Sequence, residues 1–182
     1  MKRLLSGALF AAALILTSAC TPEPAKQPET AAAAASPAAA IPYGANKVDG
    51  GTFVHGGVTL YYETYGQGEP LLLVHGNGGS IGTLAAQIDY FKAKYKVIAM
   101  DSRDQGRSTD SQEPITYEKM TDDLAALIDH LKLGPVDVVG WSDGGIEALL
   151  LGVRHPGKVK KIVSMAANLT PGPEAFDPEV DA

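Results

Sequence analysis

Between residues 51 and 168 the chain alternates two apolar patterns. Leu71-Leu72-Leu73-Val74, Val97-Ile98-Ala99-Met100 and Val138-Val139 lie in short runs rich in aliphatic residues, the pattern of strands buried on both faces. Strands are predicted at 52–55, 58–65, 71–74, 96–100, 136–141 and 161–165. Between them the apolar residues recur at helical spacing. Leu84, Ile88 and Phe91 share one face of a predicted helix over 82–94; Tyr117, Met120, Leu124, Leu127, Ile128 and Leu131 share one face of another over 117–131. Thr116 is placed to cap the second of these, with Lys119 where a capping box would carry an acid. A third helix is predicted over 145–154. Gly56-Gly57 is a hairpin signal, so the sheet opens with an antiparallel pair. The alternation that follows predicts an α/β fold, a mostly parallel sheet with helices on both faces.

Three strand ends carry unusual loops. The run Leu71–Val74 leads into His75-Gly76-Asn77-Gly78-Gly79, and Val97–Met100 leads into Asp101-Ser102-Arg103-Asp104-Gln105-Gly106-Arg107-Ser108. Val138-Val139 leads into Gly140-Trp141-Ser142-Asp143-Gly144-Gly145, a Gly-Xaa-Ser-Xaa-Gly pattern at a strand-to-helix turn. Glycine at 140 and 144 leaves room for a sharp elbow that lifts the Ser142 hydroxyl out of the sheet. Ser142 is therefore the candidate nucleophile, with the amino terminus of the next helix available to steady negative charge.

Taken together and in this order, the His-Gly loop, the Asp-x-Arg-x-x-Gly-x-Ser loop and the Gly-x-Ser-x-Gly elbow resemble the α/β-hydrolase family, from about Gly51 to about Leu169. The resemblance implies a serine hydrolase of small carboxylic esters that needs no cofactor. It implies an oxyanion hole made from the backbone N–H of Asp143 and that of Asn77, with His75 shaping the loop. Asp101 and Arg103 read as structural groups that pin loops beneath the site. Asp104 stands where the family commonly has glycine. The elbow is also similar to that of valacyclovir-hydrolase-like esterases, which implies a second possible role for Asp143, recognition of an amino-acyl ammonium. The alternative for Asp143 is an acid that favours the first turn of a helix.

In the family a helical cap and two further strands follow, and their ends deliver the acid and the histidine of the triad. Residues 168–182 carry Pro171, Pro173 and Pro178 and four acids, without an apolar period. A fold lacking the C-terminal cap and last strands is the expectation, and with it an N-terminal fragment. None of the four histidines fits the base. His155 lies at the far end of the elbow helix, roughly 20 Å from Ser142 at 1.5 Å per residue. His130 ends another helix, and His55 sits in the opening hairpin. Two other readings remain: a non-catalytic binding lipoprotein that keeps the elbow, or the inactive truncated product of a hydrolase gene.

The amino-terminal residues belong to no core. Lys2 and Arg3 precede an apolar run over 4–16 that ends in Thr17-Ser18-Ala19-Cys20, the pattern of a secretory signal over 1–19. It resembles a bacterial lipoprotein signal, in which Cys20, the only cysteine, becomes lipidated. Thr17 departs from that pattern, and the alternative is an ordinary signal cut after Ala19. Residues 20–50, rich in Ala and Pro, read as a disordered tether ahead of a partial hydrolase domain over 51–182. The expected location is the bacterial cell envelope, lipid-anchored, with Thr21 after the cysteine favouring the outer membrane. Without the signal, 13 basic residues face 21 acidic ones, a balance of −8. The basic residues Lys158, Lys160 and Lys161 form the largest cluster, which argues against nucleic acid as a partner. No Cys/His spacing suggests a metal, and no phosphate-binding loop is present.

Overall fold

The structure, a computed structural model, describes residues 42–168. Strands β1 (Gly50–His55) and β2 (Val58–Tyr65) form the expected antiparallel hairpin, with Gly56 and Gly57 both at positive φ between them. Four more strands follow: β3 (Glu69–Val74), β4 (Tyr95–Met100), β5 (Val136–Trp141) and β6 (Val159–Met165). The sheet order is β1-β2-β4-β3-β5-β6, antiparallel across β1, β2 and β4 and parallel from β4 to β6.

The pleat divides the core in two. Leu71 and Leu73 of β3 pack with Val97, Ala99, Ile81, Leu84 and Ile88 beneath α1 (Ala85–Phe91). Leu72 and Val74 face the other way, into a larger cluster with Leu124, Leu127 and Ile128 of α2 (Tyr117–His130) and Ala148 and Leu151 of α3 (Asp143–Arg154). Helices thus cover both faces, because successive strand residues point to opposite sides. The first helix differs from expectation. It begins as a 3-10 turn over Ile81–Leu84 and becomes α-helical only at Ala85. Thr116 caps α2 as expected, its hydroxyl accepting the Lys119 N–H at 3.3 Å.

The end of the expected tether is ordered against the domain. The buried Glu63 carboxylate accepts the N–H groups of Gly44 and Asn46, both at 2.8 Å, and the hydroxyls of Tyr61 and Tyr65. Tyr43 donates to Asp89 at 2.6 Å. Residues 42–50 therefore belong to the folded unit, held by polar bonds that leave no hydrophobic period to read. Cys20, the signal and the rest of the tether lie outside the described residues, as does the acidic stretch beyond 168. Among the described residues no helix is long and apolar enough to cross a membrane.

The order β4-β3-β5 means that the chain leaves β3 in one direction and returns on its other side. The loops at the carboxyl ends of β3, β4 and β5 converge at that reversal, where open α/β sheets bind their ligands. All three unusual loops sit there.

Candidate active site

Ser142 is the turning point between β5 and α3. Its backbone adopts φ 55° and ψ −122°, a conformation that costs a non-glycine residue on the order of 1–3 kcal/mol. The neighbours make the turn possible. A Cβ at Gly140 would strike the carbonyl oxygen of Gly144, and one at Gly144 would strike that of Val74. The Ser142 N–H donates to the Met165 carbonyl at 2.9 Å, tying the apex to β6. Its carbonyl accepts from Gly145 and Ile146, so α3 starts at Asp143, two residues earlier than the pattern predicted. The Ser142 hydroxyl makes no capping bond to its own helix.

The loop after β3 lies against this apex. A Cβ on Gly76 would come within 3.0 Å of the Ser142 Cβ. His75 is buried and spent on its own loop: Nδ1 is 2.8 Å from the Gly76 carbonyl, and Nε2 accepts the Ser102 N–H at 3.1 Å. Asn77 and Asp143 line one cavity of about 310 Å³ beside the elbow. Neither backbone N–H has an acceptor among the described residues. The structure thus places Asn77 and Asp143 on one cavity, with Gly76 of the same loop packed against Ser142.

Beneath them the loop after β4 is pinned as expected. The buried Asp101 carboxylate accepts the N–H of Ile81 at 2.7 Å and of Arg107 at 2.8 Å, so it joins the two loops. Burial raises its pKa against the pull of those two donors. Arg103 forms a two-pronged pair with Asp123 of α2, both contacts 2.7 Å, and His55 reaches the same carboxylate at 2.8 Å. Asp104, in the glycine-favouring region at φ 62°, accepts the Ser111 N–H.

The other histidines are distant partners of other groups. His130 stacks on Phe53, and His155 contacts Asp122 at 2.7 Å. Two features were not read from the pattern. Tyr117 donates to the Asp143 carboxylate at 3.0 Å; burial first, then that bond, push its phenol up to about 12. Its helical spacing marked it only as a core residue, and no local signal couples it to a residue 26 positions away. Glu147, one turn along α3 from Asp143, is buried with Oε2 unpartnered among the described residues.

A strand-turn-serine-helix elbow, facing the loop after β3 at the sheet's reversal point, is an arrangement shared by a large class of hydrolytic enzymes. The family profile described as alpha/beta hydrolase fold matches residues 69–181, and the chain belongs to the α/β-hydrolase family. Among curated proteins it is 34% identical over 111 residues to a putative carbamate hydrolase, RutD, of Azorhizobium caulinodans, covering 60% of this chain and 42% of that one. It is 36% identical over 118 residues to the mouse serine hydrolase BPHL, covering 62% and 40%. A crystal structure of a hydrolase from Pseudomonas aeruginosa superposes with a TM-score of 0.67 at 24% identity, over 71% of this chain and 50% of that one, a likeness of fold. The chain spans about two fifths of the length of these curated relatives.

Proposed function

We propose that the protein is a serine hydrolase of small carboxylic esters, with Ser142 as nucleophile. The observation that carries this is the backbone of Ser142, held at φ 55° with its hydroxyl unspent and two N–H groups uncommitted beside it. The Ser142 Oγ would bond to the ester carbonyl carbon while its proton passes to a general base. The resulting oxyanion would take the N–H groups of Asn77 and Asp143, each such donor contributing roughly a hundred- to thousandfold in kcat. Collapse expels the alcohol and leaves an acyl-enzyme, which water cleaves to the acid. Acid and base are to be sought outside the described residues, in the serine, acid, histidine order of the family.

The substrate range follows from the relatives in outline only. One is named as a putative carbamate hydrolase and another as a serine hydrolase, and cleavage of a carbamate or an ester by a serine shares the same acyl-transfer chemistry. The Cys20 sequence supports a lipid anchor that holds the enzyme at the bacterial envelope, with the Ala/Pro-rich segment as spacer. A second reading has one observation in its favour: the histidines among the described residues all lie far from Ser142 or are bound elsewhere. On that reading the protein binds a small molecule and does not cleave it.

A fluorophosphonate probe separates the two. Labelling at Ser142 that disappears in Ser142→Ala is the expected result. A folded protein that the probe leaves unmodified would turn the assignment to a binding protein.

A further inference from the structure

The first turn of α3 carries a conflict. The Asp143 N–H has no acceptor among the described residues and is free to meet an oxyanion, yet the same residue bears a carboxylate. A carboxylate in a first turn is drawn to the free N–H groups at the positive end of its own helix. There it would occupy those donors, or repel the negative charge that they are placed to receive. Glu147, one turn along α3, is itself a buried acid and offers no counter-charge.

Among the described residues the side chain that hydrogen-bonds this carboxylate is Tyr117, whose hydroxyl donates to Oδ1 at 3.0 Å from the first turn of α2. The tyrosine is itself fixed. Thr116 before it accepts the Lys119 N–H at 3.3 Å on its hydroxyl and the Met120 N–H at 3.1 Å on its carbonyl. Lys119 reaches back to the Pro114 carbonyl at 3.1 Å and to Glu113 at 2.7 Å, which ties the chain entering α2 to its first turn. With its phenol pushed up to about 12, Tyr117 remains a donor across the neutral range.

We propose that Tyr117 is a positioning residue of the hydrolase, whose hydroxyl holds the Asp143 carboxylate toward α2 and keeps its charge off the oxyanion site. This rests on the reading of Ser142 as nucleophile with the Asp143 N–H as an oxyanion donor. Tyr117 touches no reacting atom. Its effect falls on the transition state, where charge develops on the oxygen, and not on the neutral ground state. Removing the hydroxyl therefore slows the covalent step and leaves reversible binding alone. The effect also vanishes when residue 143 carries no charge, which separates it from support of the fold.

The test is the kinetics of Ser142 phosphonylation by a fluorophosphonate, as a double-mutant cycle on the full chain. Ser142 Oγ bonds to phosphorus as its proton passes to the base and fluoride leaves, and the phosphoryl oxygen gains charge as an attacked carbonyl oxygen does. Tyr117→Phe, which keeps the ring, is expected to lower kinact about tenfold and to change KI by less than about twofold, since the oxyanion donor stays in place but is opposed. Asp143→Asn keeps the backbone N–H, and in that background Tyr117→Phe should alter kinact by less than about twofold. Thermal melting of each variant verifies that it is folded. An unchanged kinact in Tyr117→Phe, or the same loss in both backgrounds, would overturn the proposal. A folded parent protein that the probe leaves unlabelled fails the hydrolase reading and this proposal with it, whereas labelling indifferent to Tyr117 fails the proposal alone.

Discussion

Glu147 is a buried acid whose ionisation opposes the folded state. It is 1% exposed on the face of α3 that packs toward α2, one turn from Asp143 and near Asp123, with Tyr117 on the opposing helix. Burial, followed by repulsion from Asp143 and Asp123, raises its pKa well above the ordinary 4.5. The folded state therefore holds the Glu147 proton more tightly than the unfolded chain does. Its contribution is complete below pH 4.5 and is lost as pH climbs toward the raised value. Glu147→Gln, neutral at every pH, should melt increasingly above the parent protein as pH rises from 5 to 8. A difference in melting temperature that stays constant over that range would contradict the assignment. Asp123 has the opposite environment: Arg103 grips it with two hydrogen bonds, so its charge is compensated although it is fully buried.

At the scale of the element, the turn from β5 into α3 converts a strained serine into a presented one. The strain at Ser142 persists because the surroundings over-determine it: the Met165 carbonyl holds its N–H, and Gly145 and Ile146 hold its carbonyl. Close passage of α3 beneath the β3 loop completes the arrangement, and Gly144 is the point of contact. A methyl at that position would meet the carbonyl oxygens of Val74 and His75. Gly144→Ala is expected to destabilise the domain by about 1–3 kcal/mol, as overpacking does, and to lower fluorophosphonate labelling at Ser142 more than tenfold. Labelling and melting both unchanged would show that the contact is unimportant. The period-2 and period-3.6 patterns made these elements legible to within a few residues. They did not locate the start of α3, because two glycines in its first turn carry no apolar signal. Nor did they reveal the 3-10 entry over Ile81–Leu84, which is fixed by the Asp101 carboxylate accepting the Ile81 N–H from another loop.

For the whole molecule, the segment 42–50 is the junction between the domain and everything that precedes it. Glu63 clasps two of its N–H groups, so the point where the chain leaves the domain is fixed. A lipid on Cys20, as proposed above, would leave some twenty residues of sequence between the anchor and the clasped segment. Expression in a Gram-negative host should place the protein in the membrane fraction with a diacylglyceryl increment in mass, and Cys20→Ser should remove both. An unmodified mass and a soluble periplasmic protein would refute the anchor. At the carboxyl side of the sheet, Trp141 is 55% exposed, and Val163 and Met165 stand in the open on the same part of the molecule.

Local order and its punctuation were written along the chain. Each short apolar run has to be buried on two sides, and each helix has one apolar stripe, so six strands, three helices and the layered fold could be read in sequence order. The elbow was legible for the same reason: Gly140, Ser142 and Gly144 are neighbours in the chain, and their steric needs are local. Convergence was decided only in three dimensions. The reversal at β3 brings Asn77, Gln105, Tyr117 and Asp143 around one cavity from four separate loops and helix ends. The Tyr117 bond to Asp143, the buried acid at Glu147 and the clasp at Glu63 follow from packing alone. A side chain's partners across the fold depend on burial and distance, and neither quantity is encoded in its immediate neighbours.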